Sequence, residues 1–168
     1  MIITAVNAKP RRRNRVEIYV DGELAFDLAR DTVSKRELRP GRPIDRAEIA
    51  AIVAADARRS ALDTATAMLA HRPRSEREVR RRLAQRKCDP ALIDETVARL
   101  RAMKLIDDAE FARAWAESRD RSSPRGRRLI AGELRAYGVS PVVAGEAAAT
   151  VSAADAAYRV AAQRMRSL

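Results

Sequence analysis

The sequence predicts a mainly α protein: tandem three-helix repeats forming an elongated array, preceded by a small N-terminal β-hairpin or three-strand module. Three observations carry this expectation. Apolar residues alternate at period two in the first 30 residues and recur at helical spacing from residue 45 onward. Helix-start signals of the Asp-Pro, Ser-Pro and Ser-x-x-Glu kinds punctuate the helical part at regular intervals. One pattern of cap and apolar residues returns 51 positions later.

The elements follow in order. Ile2 to Asn7 is short and β-branched, and Arg15 to Val20 places Val16, Ile18 and Val20 at period two. Asp21-Gly22 supplies a tight turn of the primed type, and Glu23 to Leu28 returns with Leu24, Phe26 and Leu28. Three short strands bury little alone, so they are expected to lean on the helix that follows. Arg39-Pro40-Gly41-Arg42-Pro43 is a loop, because two prolines and a glycine break any regular element.

Asp45 with Glu48 resembles a capping box ahead of Ile49, Ile52 and Val53, and the pattern runs on through Leu62, Ala65 and Leu69. Ser75 with Glu78 caps a helix whose apolar stripe is Val79 and Leu83. Asp89-Pro90 opens Leu92, Ile93, Val97 and Leu100. Asp107 with Glu110 opens Phe111, Ala114 and Trp115. Ser123-Pro124 opens Leu129, Ile130 and Leu134, Gly138 closes that helix in the left-handed conformation, and Ser140-Pro141 opens the next.

The repeat aligns Ser75, Val79, Leu83 and Pro90 with Gly126, Ile130, Leu134 and Pro141. Arg72 and Arg119 both end a preceding helix, and a further first helix is expected at Ala153 to Arg164. Units of this size bury too little surface to stand alone. The expected organisation is a strand module with connecting helix at 1–57, repeats at 58–106 and 107–152, and the first helix of an incomplete third repeat at 153–168, read as a truncation.

Composition narrows the function. The 168 residues carry 34 Lys plus Arg against 23 Asp plus Glu, a net charge of +11 and a pI near 11.0. The excess sits in Lys9–Arg15, Arg72–Lys87 and Arg119–Arg128, which together hold +15 and leave −4 elsewhere. Charge concentrated in this way points to a polyanion or an acidic protein surface as partner. An Arg-rich composition with solvated helix faces accounts for the same numbers without a partner. No apolar run approaches a membrane span, no long apolar segment marks a secretory leader, and Cys88 is the only cysteine. Secretion, membrane spanning, disulfide scaffolds and thiolate metal centres are therefore not expected; a cytoplasmic monomer without cofactor is.

The units Leu69-x2-Arg72-x2-Ser75-x2-Glu78-Val79-x3-Leu83 and Asp107-Asp108-x2-Phe111-Ala112-x6-Arg119-x6-Gly126-x3-Ile130-x2-Glu133-Leu134-x3-Gly138-Val139 resemble the RecX family of bacterial regulatory proteins. The strand module with its Asp21-Gly22 turn is similar to the family's N-terminal extension. The resemblance covers essentially the whole chain, but family members usually complete three three-helix units and this sequence lacks most of the third. It implies a non-enzymatic modulator that binds the RecA recombinase, lies in the groove of the RecA–ssDNA filament, and lowers ATP hydrolysis, strand exchange and SOS co-protease function.

Candidate contact residues come from the helical wheel. Arg77 and Arg81 lie opposite the Val79/Leu83 stripe, Arg74 precedes the cap, and Arg80 and Arg82 flank the stripe. Arg125, Arg128 and Arg135 are the outward residues of the equivalent helix, and guanidinium forks suit phosphate and carboxylate alike. Arg72 and Arg119 fit a shared structural task as well as a functional one. The basic stretch with Lys9, Arg11, Arg12, Arg13 and Arg15 is either a backbone clamp or a solvated loop. The alternative function is a sequence-nonspecific protein that binds ssDNA or dsDNA through these faces without RecA. Asp107 and Asp108 lack a third carboxylate or a His at ligand spacing, His71 and Cys88 read as helix-end residues, and Phe111 with Trp115 reads as core. No catalytic constellation or Gly-rich phosphate loop is present in the sequence.

Overall fold

The computed structural model describes residues 1–9, 14–122 and 126–151, which divide into two compact units, Met1–Ser60 and the part from Ala61 onward. In the first unit β1 (Ile3–Ala8), β2 (Arg15–Val20) and β3 (Glu23–Ala29) form an antiparallel sheet in chain order. Asp21 and Gly22 both have positive φ, 50° and 90°, as a primed two-residue turn requires. Ile18 pairs with Phe26 but Tyr19 pairs with Leu24, so a bulge at Ala25 breaks the alternation. The expected stripe of Leu24, Phe26 and Leu28 is corrected accordingly. Leu28 is fully buried, Phe26 partly, and Leu24 stands 56% exposed.

Two further helices complete this unit's core. α1 (Arg30–Lys35) was not legible in advance, because its N-cap is Ala29 without a side-chain cap and six residues show almost no periodicity. α2 (Arg46–His71) starts under Asp45, whose carboxylate accepts from the Glu48 amide at 2.7 Å. Ile3, Ile18, Leu28, Val33, Ile44 and Ile52 pack together, each contributing about 2 kcal/mol of burial. Val53, expected beside Ile52, faces solvent. Asp56 is the buried polar centre of this unit, accepting from the Ala29 amide, Thr32 Oγ1 and Arg15 Nη1 at 3.1, 2.6 and 2.7 Å.

In the second unit the end of α2, α3 (Glu76–Gln85) and α4 (Pro90–Ala102) make one three-helix repeat. α5 (Asp108–Ser122), α6 (Arg127–Ala136) and α7 (Pro141–Ala149) make the next. The residues related by the 51-residue displacement, Val79 with Ile130 and Leu83 with Leu134, are all 0% exposed and centre the two cores. α6 has Gly126 as its N-cap, and Ser123-Pro124 lie outside the described residues, as does the helix expected at Ala153 to Arg164. Two stripe assignments are corrected. Leu129 is 62% exposed, and the small residues facing the core of α5 are Ala112 and Ala116 rather than Ala114. The boundary expected at 57/58 falls inside α2, which is one continuous helix.

Four helices share one ending. After α1, α3, α4 and α6 a residue with positive φ turns the chain: Glu37, Lys87, Lys104 and Gly138. In each case the next amide bonds back five residues, Leu38 to Val33, Cys88 to Leu83, Leu105 to Leu100 and Val139 to Leu134, at 2.9–3.2 Å. This is the Schellman motif, with its apolar pair closing over the turn. Only Gly138 carries the residue type that makes such an ending visible in sequence.

Candidate basic interface of the helical repeats

The start of α3 is assembled from both repeats. Ser75 is a full capping box with Glu78: the Glu78 amide donates to Ser75 Oγ and the Ser75 amide donates to Glu78 Oε2. Ser75 Oγ in turn donates to the carbonyl of Tyr137 at 2.7 Å, at the end of α6. The Glu76 amide donates to Asp108 Oδ1 at 2.9 Å, at the start of α5. Asp108 is thus a tertiary cap, and burial holds its carboxyl above the usual range, against that hydrogen bond. Gly138 sits directly against the stem of Arg77.

The candidate arginines then divide by what their guanidinium groups touch. Arg72 and Arg74 donate to Glu78 Oε1 at 2.8 and 3.1 Å. Burial alone would raise the Glu78 carboxyl, but these two arginines and the Ser75 amide outweigh it and hold it below the usual range. Arg80 bridges Glu76 and Asp94 at 2.7 and 2.6 Å, which raises its already high pKa, and Arg101 also pairs with Glu76. In the second repeat Glu133 Oε2 accepts from Arg119 Nε at 2.8 Å and from Trp115 Nε1 at 2.9 Å. The Arg119 guanidinium also lies 4.5 Å over the Trp115 ring. Arg72 and Arg119, equivalent in the repeat, therefore do parallel work from different registers: each ties a first helix to a glutamate of the second.

Arg77, Arg81, Arg128 and Arg135 are different. All four are exposed, and their side chains make no ion pair among the described residues. Arg82 in the last turn of α3 and Arg86 at its C-cap join them; their spacing of four is visible in sequence, but only the packing shows that no carboxylate meets them. Arg125, Arg11, Arg12 and Arg13 lie outside the described residues. Of the basic stretch that contains the last three, Lys9 pairs with Glu17 and Asp27, and Arg15 with Asp27 and Asp56. Asp107 does what its spacing suggested, accepting from the Ala109 and Glu110 amides, and those bonds lower its pKa. Phe111 and Trp115 pack with Tyr137, ring centroids 4.7–6.0 Å apart, in the second core. Among the described residues no group of His, Cys, Asp and Glu is arranged to hold a metal ion.

The sequence matches the first three-helix domain of RecX over residues 61–100, the second three-helix domain over 107–147, and the N-terminal domain of regulatory protein RecX over 1–45. The chain belongs to the RecX family. Regulatory protein RecX of Listeria welshimeri is 31% identical over 140 residues, 83% of this chain and 52% of the relative. That of Bacillus subtilis is 29% identical over 153 residues, 91% of this chain and 58% of the relative. The chain thus spans about half the length of the curated relatives it matches. A crystal structure of regulatory protein RecX superposes with a TM-score of 0.63 at 25% identity, covering 94% of this chain and 77% of that one. RecX from Lactobacillus salivarius shares the fold at a TM-score of 0.57 and 22% identity, over 58% of this chain and 64% of that one. RecX proteins are regulators rather than an enzyme family, and no helix among the described residues is long and apolar enough to cross a membrane.

Proposed function

We propose that this chain regulates the RecA recombinase, binding RecA and its filament on single-stranded DNA and lowering ATP hydrolysis, strand exchange and SOS co-protease function. The observation that carries the reading is the match to RecX domains in both helical repeats and in the strand module. The unpaired arginines of α3 and α6 support it: charged groups that no internal carboxylate neutralises are the ones with attraction left for an anionic partner. Arg72, Arg74, Arg80 and Arg119 hold the repeats in shape and act on the partner through that shape. The chain is expected to act in the cytoplasm, as a monomer and without a cofactor.

The test is ATP hydrolysis by the cognate RecA on single-stranded DNA while this chain is titrated in. A fall in rate below one chain per RecA, with filaments shortening by light scattering, is the expected result; an unchanged rate at saturating protein overturns the reading. The rival, direct nucleic-acid binding without RecA, is separated by salt. Binding dominated by phosphate contacts weakens with a log–log slope of about −0.7 per contact on single strands, whereas recruitment that requires RecA does not follow that line.

A further inference from the structure

A groove of about 460 Å³ runs between the last turns of α2 and the outer face of α3. Its lining brings together Met68, His71, Arg74, Glu78, Arg81, Arg82 and Arg86. The Glu78 carboxylate is already committed to Arg72, Arg74 and the Ser75 amide, so it does not neutralise the other arginines. Arg81, Arg82 and Arg86 have no ion-pair partner among the described residues. Nε of Arg74 is buried and has no acceptor within the described protein, a group whose desolvation is left uncompensated. A concave site lined by three unpaired guanidinium groups suits an acceptor-rich ligand.

We infer that this groove binds an extended acidic segment of a protein partner, through carboxylates seated on Arg81, Arg82 and Arg86. Carboxylate and phosphate would both satisfy the donors, and the rest of the lining decides between them. No Phe, Tyr or Trp lines the groove and its one ring is the His71 imidazole, so successive bases of a single strand find no row of faces to stack on. Met68 and the arginine stems instead offer an adaptable apolar floor, which suits the methylenes of glutamate and the side chains between successive acids. Arg clusters reading acidic motifs are a recurring mode of peptide recognition. The inference rests on the reading above in one respect, that the partner is a protein.

The experiment uses the full chain and a fluorescein-labelled peptide of alternating glutamate and glycine, followed by fluorescence anisotropy at physiological salt. A peptide with glutamine for every glutamate and a labelled thymidine oligonucleotide are run beside it. Arg82 and Arg86 are exposed, so Arg82→Ala with Arg86→Ala leaves the cores untouched, and unchanged far-UV circular dichroism verifies this. The acidic peptide is expected to bind the parent chain and to lose about tenfold or more in affinity with the double variant, the size of one or two charged hydrogen bonds. A control of equal charge, Arg39→Ala with Arg46→Ala in the first unit, is expected to retain binding. Three outcomes overturn the proposal: the glutamine peptide binds equally well, the control loses as much as the groove variant, or the groove variant loses the oligonucleotide and not the peptide. Since RecA is absent from this titration, the groove assignment and the regulatory reading fail independently.

Discussion

Replacing Gly138 by alanine is the most informative single change, because the structure assigns its cost to two separable causes. Gly138 has φ +89°, where an L residue is strained by roughly 1–2 kcal/mol. A Cβ there would also stand 2.5 Å from Cδ and 2.6 Å from Cβ of Arg77. The Cδ belongs to a mobile stem and moves aside, but the Arg77 Cβ is fixed to α3, so α6 and α3 must separate by several tenths of an ångström. Overpacking of that kind costs about 1–3 kcal/mol, for a total of about 2–5 kcal/mol. The assay is urea unfolding followed both by circular dichroism and by Trp115 fluorescence, since Trp115 packs on Tyr137 beside the glycine. Lys87→Gly calibrates the backbone part, because Lys87 holds the same place after α3 at φ 60°. If Gly138→Ala costs no more than Lys87→Gly gains, the close approach of the two repeats is not what demands glycine, and the reasoning fails.

Four further outcomes are expected. Lys87→Gly and Lys104→Gly should each stabilise the protein by about 0.5–1 kcal/mol, raising the urea midpoint without changing the slope, because both relieve left-handed strain. Glu78→Gln should cost about 2 kcal/mol at neutral pH. A carboxyl held below its ordinary pKa contributes stability above the unfolded value and loses it as pH falls through the folded one, so the gap between Glu78→Gln and parent should shrink in acid. A gap that stays constant down to the acid transition would refute the pairing with Arg72 and Arg74. Glu133→Ala should release the Trp115 indole and Arg119 together, cost about 1–2 kcal/mol, and shift Trp115 emission to the red; an unmoved spectrum would sink that linkage. Arg77→Glu with Arg81→Glu should abolish inhibition of RecA at unchanged helicity, and unchanged inhibition would remove α3 from the contact surface.

How much was legible in the sequence follows from where the information lies. Ser75, Asp89 and Ser140 advertise their helices because capping is local: the side chain and the amide it serves are two or three residues apart. Val79, Leu83, Ile130 and Leu134 are equally plain, since a repeat states its core twice. α1 was hidden by an alanine cap, and Leu24 and Leu129 were misplaced because period alone cannot see a bulge or the edge of a helix's buried face. The candidate site was legible as a set of arginines and illegible as a division of labour. Arg80 meets Asp94 across 14 residues and Arg72 meets Glu78 around a turn, so which cations remain unpaired is settled by packing rather than by spacing. Asp108, which closes the start of α3 from 32 residues away, carries no local signal at all.

The bond from Ser75 Oγ to the Tyr137 carbonyl has a consequence in time. The two groups are 62 residues apart, so at ribosomal rates of 5–20 residues per second α3 is made about 3–12 s before its acceptor exists. Through that interval the cap hydroxyl is served by water, and the first repeat is an unfinished surface whose last hydrogen bonds wait for the second to be synthesised. Synthesis of the end of α6 then supplies that acceptor, so the cap of the first repeat is completed only once most of the second has been made.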